Sequence, residues 1–110
     1  MPDPGPELQQ GTLDVLILKT LARESLHGWS ISKRIRAASR DVLQVHQGSL
    51  YPALYRLEDR GWVTARWGIS PEGRRARFYT LTAGGRRELL RQTEAWRTFS
   101  SAVNHVLQAV

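Results

Sequence analysis

The sequence predicts a mainly α chain that carries one two-stranded β-hairpin and finishes in a long C-terminal helix. Three observations lead there. Within Gln47–Gly61, Leu50, Ala53, Leu54 and Leu57 fall at i, i+3, i+4 and i+7, the spacing of one helix face. After Gly61 the apolar period drops from about 3.6 residues to about 2, first over Trp62–Trp67 and again over Ala76–Leu81. From Leu89 onward apolar residues return in heptads as Leu89, Trp96, Val103 and Val110, with Phe99 and Val106 between them.

Composition narrows the class. With 110 residues the chain is expected to form one domain with a modest core. Lys plus Arg number 16 against 10 Asp plus Glu, giving a formal charge of +6, and 14 of the cations are arginine. That excess favours a polyanionic partner, nucleic acid or an acidic membrane, and arginine suits bidentate phosphate and guanine contacts. The absence of cysteine excludes disulfides and thiol-ligated metals. Neither a signal peptide nor an apolar run of about 18 residues is present, so a soluble cytoplasmic protein is expected.

Taken in order, Met1–Pro6 holds three of the five prolines and reads as an extended arm, with residues 1–7 set apart from the folded part. Thr12 is placed to cap a helix over Leu13–Arg23. There Leu13, Leu16, Ile17 and Leu21 form one stripe, and Val15, Leu18 and Ala22 a second. A helix apolar over so wide an arc must be central or shared with a second chain. Ser25–Gly28 reads as a turn. A second helix over Trp29–Ala38 turns Ile31, Ile35 and Ala38 inward and Lys33, Arg34, Arg36 and Arg40 outward. With a nucleic-acid partner, the amides near Gly28 and the side chains of Trp29, Lys33 and Arg34 are placed near a phosphate backbone; without one they form an ordinary solvated face, the better fit for Arg36 and Arg40. Val42, Leu43 and Val45 then make an apolar connector.

The third helix is the centre of the reading. Ser49 is expected as its N-cap, which would place Pro52 at the third helical position, because proline fits where amides have no intrahelical acceptor. Gly61 is expected to end the helix in the left-handed conformation. Tyr51, Pro52, Tyr55, Arg56 and Asp59 fall opposite the apolar stripe, open to contact. In the hairpin that follows, Val63, Ala65 and Trp67 share one side, and Arg77, Tyr79 and Leu81 oppose Phe78 and Thr80. Gly68–Arg75 is read as the loop between the strands. Arg66, Arg74, Arg75 and Arg77 concentrate on this hairpin, beyond what solubility requires, as in a hairpin that straddles a backbone or enters a minor groove. Thr82 is expected to cap the last helix, whose first turn Gly84 and Gly85 weaken. Its heptads form a seam of Leu89, Trp96, Phe99, Val103 and Val106, interrupted by Gln92. The seam serves either dimerisation, the preferred reading, or packing on the body of the same chain.

Helix, turn, helix, basic hairpin and long final helix is the order of a winged helix-turn-helix domain, here over residues 8–82 with a C-terminal dimerisation helix over residues 83–110. The chain resembles PadR-family transcriptional regulators of the short type. The resemblance is carried by Gln10-Gly11-Thr12-Leu13-Asp14, Leu26-His27-Gly28-Trp29, Gln47–Leu54, Arg56-Leu57-Glu58 with Gly61-Trp62, Arg74–Tyr79 and Leu81–Gly85. It covers roughly residues 8 to 108. Trp29 departs from the tyrosine common in the family, replacing a phenol with an indole N–H. The resemblance implies a homodimer on a pseudo-palindromic operator of double-stranded DNA, usually as a repressor, with small-molecule effectors in some members.

On this reading Gln47, Ser49, Tyr51, Pro52, Tyr55 and Arg56 face the DNA from the recognition helix, with Arg56 as the guanine reader and the wing arginines supplying salt-dependent affinity. Trp96 is either core at the dimer seam or, with its symmetry mate, one wall of a flat pocket for planar apolar effectors. No enzymatic or metal constellation is found. His27, His46 and His105 are scattered, Glu58-Asp59 is not a catalytic dyad, and no phosphate-binding glycine loop or cofactor motif occurs. The alternative function is a winged-helix protein-interaction module that binds nucleic acid only weakly and without sequence preference.

Overall fold

The computed structural model describes residues 10–109; the expected N-terminal arm and Val110, the last position of the expected seam, lie outside the described residues. The elements are α1 (Gln10–Thr20), β1 (Leu26–His27), α2 (Gly28–Ala38), α3 (Gln47–Asp59), β2 (Val63–Ile69), β3 (Arg75–Leu81) and α4 (Ala83–Gln108). This is a winged helix fold in which the strands form one antiparallel sheet of order β1-β3-β2. β1 occupies part of the expected turn at Ser25–Gly28, with Leu26 opposite Tyr79 and His27 opposite Phe78. Two residues are too few to show an alternating pattern, and the strand exists only because β3 offers its free edge.

α1 is central, as its wide apolar arc requires. Leu13, Ile17, Leu18 and Leu21 are buried, and Val15, Leu16 and Ala22 pack partly buried against the same core. Gln10 and Gly11 are already helical, so Thr12 lies inside the helix instead of capping it. α2 buries Ile31 and Ile35, while Ala38, expected inward, is exposed in the last turn. That helix ends by bonding the Arg40 amide to the Ala37 carbonyl and the Asp41 amide to the Arg36 carbonyl. This Schellman closure sets φ of Arg40 at 54° and of Asp41 at 67°, where glycine is ordinarily found.

α3 corrects the expected start. Its N-cap is His46, without a side-chain cap bond, Ser49 is the third helical residue, and Pro52 lies inside the helix. The missing proline amide forfeits one backbone bond, a defect of about 3 kcal/mol in an isolated helix. Fully burying Leu50, Leu54 and Leu57 stabilises the folded chain by about 1.5–3 kcal/mol per side chain, enough to carry the helix through the proline. The stop is as expected. Gly61 has φ of 74°, its amide bonds to the Glu58 carbonyl at 2.9 Å and the Trp62 amide to the Leu57 carbonyl at 3.0 Å.

The hairpin strands run further than expected, to Ile69 and from Arg75, so the turn shrinks to Ser70–Arg74 with Gly73 at φ of 82°. The Ser70 amide bonds to the Arg74 carbonyl at 2.7 Å and closes it. Val63 pairs with Leu81, Ala65 with Tyr79 and Trp67 with Arg77. Val63, Tyr79 and Leu81 are buried, so the base of the hairpin belongs to the core and its far end projects from it. Thr82 caps α4, accepting the Gly85 amide at 3.0 Å. Gly85 is no weakness. A Cβ there would lie 2.1 Å from the Trp62 carbonyl oxygen, so only glycine lets the helix start lie against the entry to β2.

Candidate nucleic-acid interface

α3 lies with its apolar stripe in the core and its opposite face open. Gln47, Ser49, Pro52, Tyr51 and Tyr55 are exposed there, Tyr55 by 57%. Tyr51 leans on the first residue of α2, where a Cβ on buried Gly28 would stand 2.8 Å from the phenol oxygen. The glycine therefore sets how closely the phenol approaches the start of α2. Trp29 is exposed beside it, and the Lys33 ammonium sits 4.0 Å from the centre of its ring. α2 begins directly at its N-cap His27, whose Nδ1 lies 2.9 Å from the Ser30 hydroxyl and whose ring stacks on Phe78 at 5.4 Å.

Arg56 does not stand with the tyrosines. Its Nη2 donates to the Asp14 carboxylate of α1 at 3.0 Å, and its Nε is buried without a partner. The side chain is thus folded against α1, away from the outward face predicted for it. Burial pushes the Asp14 carboxyl above the ordinary aspartate range, outweighing the pull of Arg56 and Arg60 in the other direction.

The four hairpin arginines have different surroundings. Arg77 donates to Glu58 on α3 at 3.0 Å and ties the wing to the helix. Arg75 lies over the indole of Trp67, its guanidinium 4.7 Å from the ring centre. Arg66 and Arg74 are exposed and have no ion-pair partner among the described residues. On α2, Arg34 pairs with Glu24 and Arg36 with Asp41, the latter at 3.3 Å.

Between the start of α2, the outer face of α3 and the wing runs a groove of about 410 Å³, lined by Trp29, Tyr51, Tyr55, Trp67, Arg75 and Arg77 among others. It brings together Tyr51, Tyr55, Trp29 and two of the wing arginines. Arg66 and Arg74 are not among its lining residues. Trp67 is the residue that sequence reasoning missed. Its alternation places it with Val63 and Ala65, which suggests burial, yet it is 57% exposed because the strand outruns the core.

The seam on α4 also needs correction. Leu89 is only 9% exposed and belongs to the core of its own chain, because this part of α4 packs on α1. Further on, the helix leaves the body. Trp96 is 51% and Phe99 60% exposed, Val103 and Val106 are exposed too, and the two aromatic rings lie 6.1 Å apart. Trp96 and Phe99 border a groove of about 330 Å³ whose other wall is Gly11, Thr12 and Val15 of α1. Among the described residues no three His, Asp or Glu side chains are grouped to hold a metal ion, and no helix is long and apolar enough to cross a membrane.

Residues 17–91 match the family described as "Transcriptional regulator PadR-like family". The chain is 32% identical over 101 residues to the transcriptional regulator Rv3488 of Mycobacterium tuberculosis, covering 92% of this chain and 88% of that one. Among solved structures, a transcriptional regulator from Clostridium thermocellum superposes with a TM-score of 0.78 at 27% identity, covering 86% of this chain and 92% of the other. A PadR-like transcriptional regulator from Bacillus cereus gives 0.76 at 26% identity, covering 90% and 94%.

Proposed function

Because the chain belongs to the PadR-like family of transcriptional regulators, which are DNA-binding proteins and not enzymes, we propose that it is a sequence-specific repressor acting in the cytoplasm as a homodimer on a pseudo-palindromic operator. The observation that carries this reading is the groove in which the open tyrosine face of α3 stands beside the start of α2 and the basic wing. α3 enters the major groove with Tyr51, Pro52 and Tyr55 toward base edges and sugars, and Gln47 and Ser49 at its start reach phosphate. Arg66, Arg74 and Arg75 supply the salt-dependent part of the affinity from the wing, and Gly28, Trp29 and Lys33 take the backbone on the other side. Arg56 and Arg77 hold α3 in place through Asp14 and Glu58.

Residues 8–82 form the reading unit and residues 83–110 the dimerisation helix. Trp96, Phe99, Val103 and Val106 leave α4 with an apolar ridge that a second copy covers. A planar apolar effector fits beside Trp96, and quenching of tryptophan fluorescence by planar cationic dyes, lost in a dimeric Trp96→Ala variant, tests that pocket.

The deciding experiment is a gel-shift and footprint on DNA upstream of the chain's own gene, at two salt concentrations with competitor DNA. Retention against competitor with a two-fold footprint is expected. Weak binding of equal strength to every sequence would overturn the repressor reading in favour of a protein-interaction module.

A further inference from the structure

Exposed aromatic side chains gathered around one groove mark a binding surface, and here Trp29, Tyr51 and Tyr55 are joined by a tryptophan at the far end of the hairpin. Trp67 stands there, lining the groove between the wing and α3, with Arg77 as its cross-strand neighbour. Arg77 is committed to Glu58 and so belongs to the scaffold. Arg75 is the groove's wing cation without a carboxylate partner among the described residues, and it rests on the Trp67 ring at 4.7 Å. On the α2 side the groove is lined by Trp29, whose ring seats Lys33 at 4.0 Å although Lys33 itself does not line the groove, and Tyr51 and Tyr55 line it as well. Long cationic side chains ordinarily sample many rotamers. A cation resting on an aromatic face gives up part of that freedom before any ligand arrives.

We propose that Trp67 is a DNA-contacting residue of this protein. Its indole seats Arg75 so that the guanidinium meets a phosphate of the strand lying in the groove, while the ring itself packs on the adjoining deoxyribose. This rests on the DNA-binding reading above and adds to it a residue outside the arginine set. Charge complementarity supports the occupant. The walls present cations and aromatic faces side by side, which matches the alternation of phosphate and sugar along one strand. The interaction is with backbone, so it acts on every sequence alike.

The test uses the full chain and a mixed-sequence DNA duplex, with dissociation constants measured by fluorescence anisotropy over a range of salt. Arg75→Ala is expected to shallow the log K against log salt slope by roughly 0.9 for each phosphate that is no longer neutralised. Trp67→Leu keeps every charge, yet is expected to weaken binding about two- to fivefold and to shallow the slope nearly as much, because the unseated arginine no longer holds its phosphate. The double variant is expected to bind no more weakly than the weaker single one, and Trp67→Tyr to recover most of the affinity. Wild-type binding with an unchanged constant and slope in Trp67→Leu would overturn the proposal and leave the DNA-binding reading intact. Multiplicative losses in the double variant would likewise overturn it. A wild-type chain that fails to bind duplex at low salt would overturn both.

Discussion

Two neighbouring glycines at the start of α4 should respond to alanine in opposite directions. At Gly85 an added Cβ would lie 2.1 Å from the Trp62 carbonyl oxygen and 2.6 Å from Leu81 Cδ1. Relief requires the helix start to move away by about 1 Å, since even close carbon–oxygen contacts stand about 3.3–3.6 Å apart. That movement strains two bonds that fasten the same turn, the Thr82 amide to the Trp62 carbonyl at 3.1 Å and the Thr82 hydroxyl to the Gly61 carbonyl at 2.7 Å. Overpacking costs about 1–3 kcal/mol and each broken bond about 0.5–1.5 kcal/mol. The helix propensity gained by alanine returns about 1 kcal/mol. Gly85→Ala should therefore lose about 1–5 kcal/mol. At Gly84 the nearest atoms to an added Cβ are 3.7 Å away, so Gly84→Ala should be neutral or gain up to about 1 kcal/mol. Urea unfolding at fixed protein concentration measures both, with an unchanged m-value showing that stability alone has moved. Equal midpoints for the two variants would refute the packing argument.

Three further outcomes follow from the structure. Arg40 holds φ of 54° in an exposed helix stop, so Arg40→Gly should raise stability by about 0.5–1 kcal/mol, seen as a higher urea midpoint. Pro52→Ala restores the missing amide within α3 and should stabilise the fold by about 1–3 kcal/mol in the same assay. Arg91 bonds hold the Glu88 carboxyl below the ordinary glutamate range, with Gln92 assisting against the opposing effect of burial. A carboxylate with a lowered folded pKa stabilises above its unfolded value of about 4.3, and that contribution is lost as pH falls through the folded value. Glu88→Gln should accordingly flatten the acid limb of the melting temperature against pH.

Much of this architecture is legible because it rests on short-range pattern. The stripe of Leu50, Ala53, Leu54 and Leu57, the left-handed Gly61, the alternating hairpin strands and the Thr82 cap each depend on residues close in sequence. What escaped depends on distant partners. The sequence places Arg56 beside the tyrosines, but the aspartate that turns it away is 42 residues earlier, on α1. Leu89 keeps the heptad spacing and is nevertheless taken by the core of its own chain, because heptads specify a face and not its occupant. The third strand is invisible for a related reason, since its two residues are held by pairing with the distant β3 and show no pattern of their own. Propensity misled at Ser49 and Pro52, where burial of the stripe overrides the preference for a cap and the aversion to proline. Trp67 shows the limit for the candidate interface. Alternation gives the side of a sheet, and only the extent of the core decides whether that side is wet.

The way the hairpin is stitched to its neighbours has a geometric consequence. At one edge β1 pairs with β3 and runs without a spacer into α2, so His27 is at once the end of a strand and the cap of a helix. On the face, Arg77 clasps Glu58 and fastens the same hairpin to α3. The start of α2, the outward side of α3 and the wing are therefore set out like marks on one ruler, with their mutual distances built into the chain. Such a ruler cannot stretch to suit a target. If two copies pair as proposed above, any latitude in the separation of their half-sites would come from the joint between them, along the exposed part of α4.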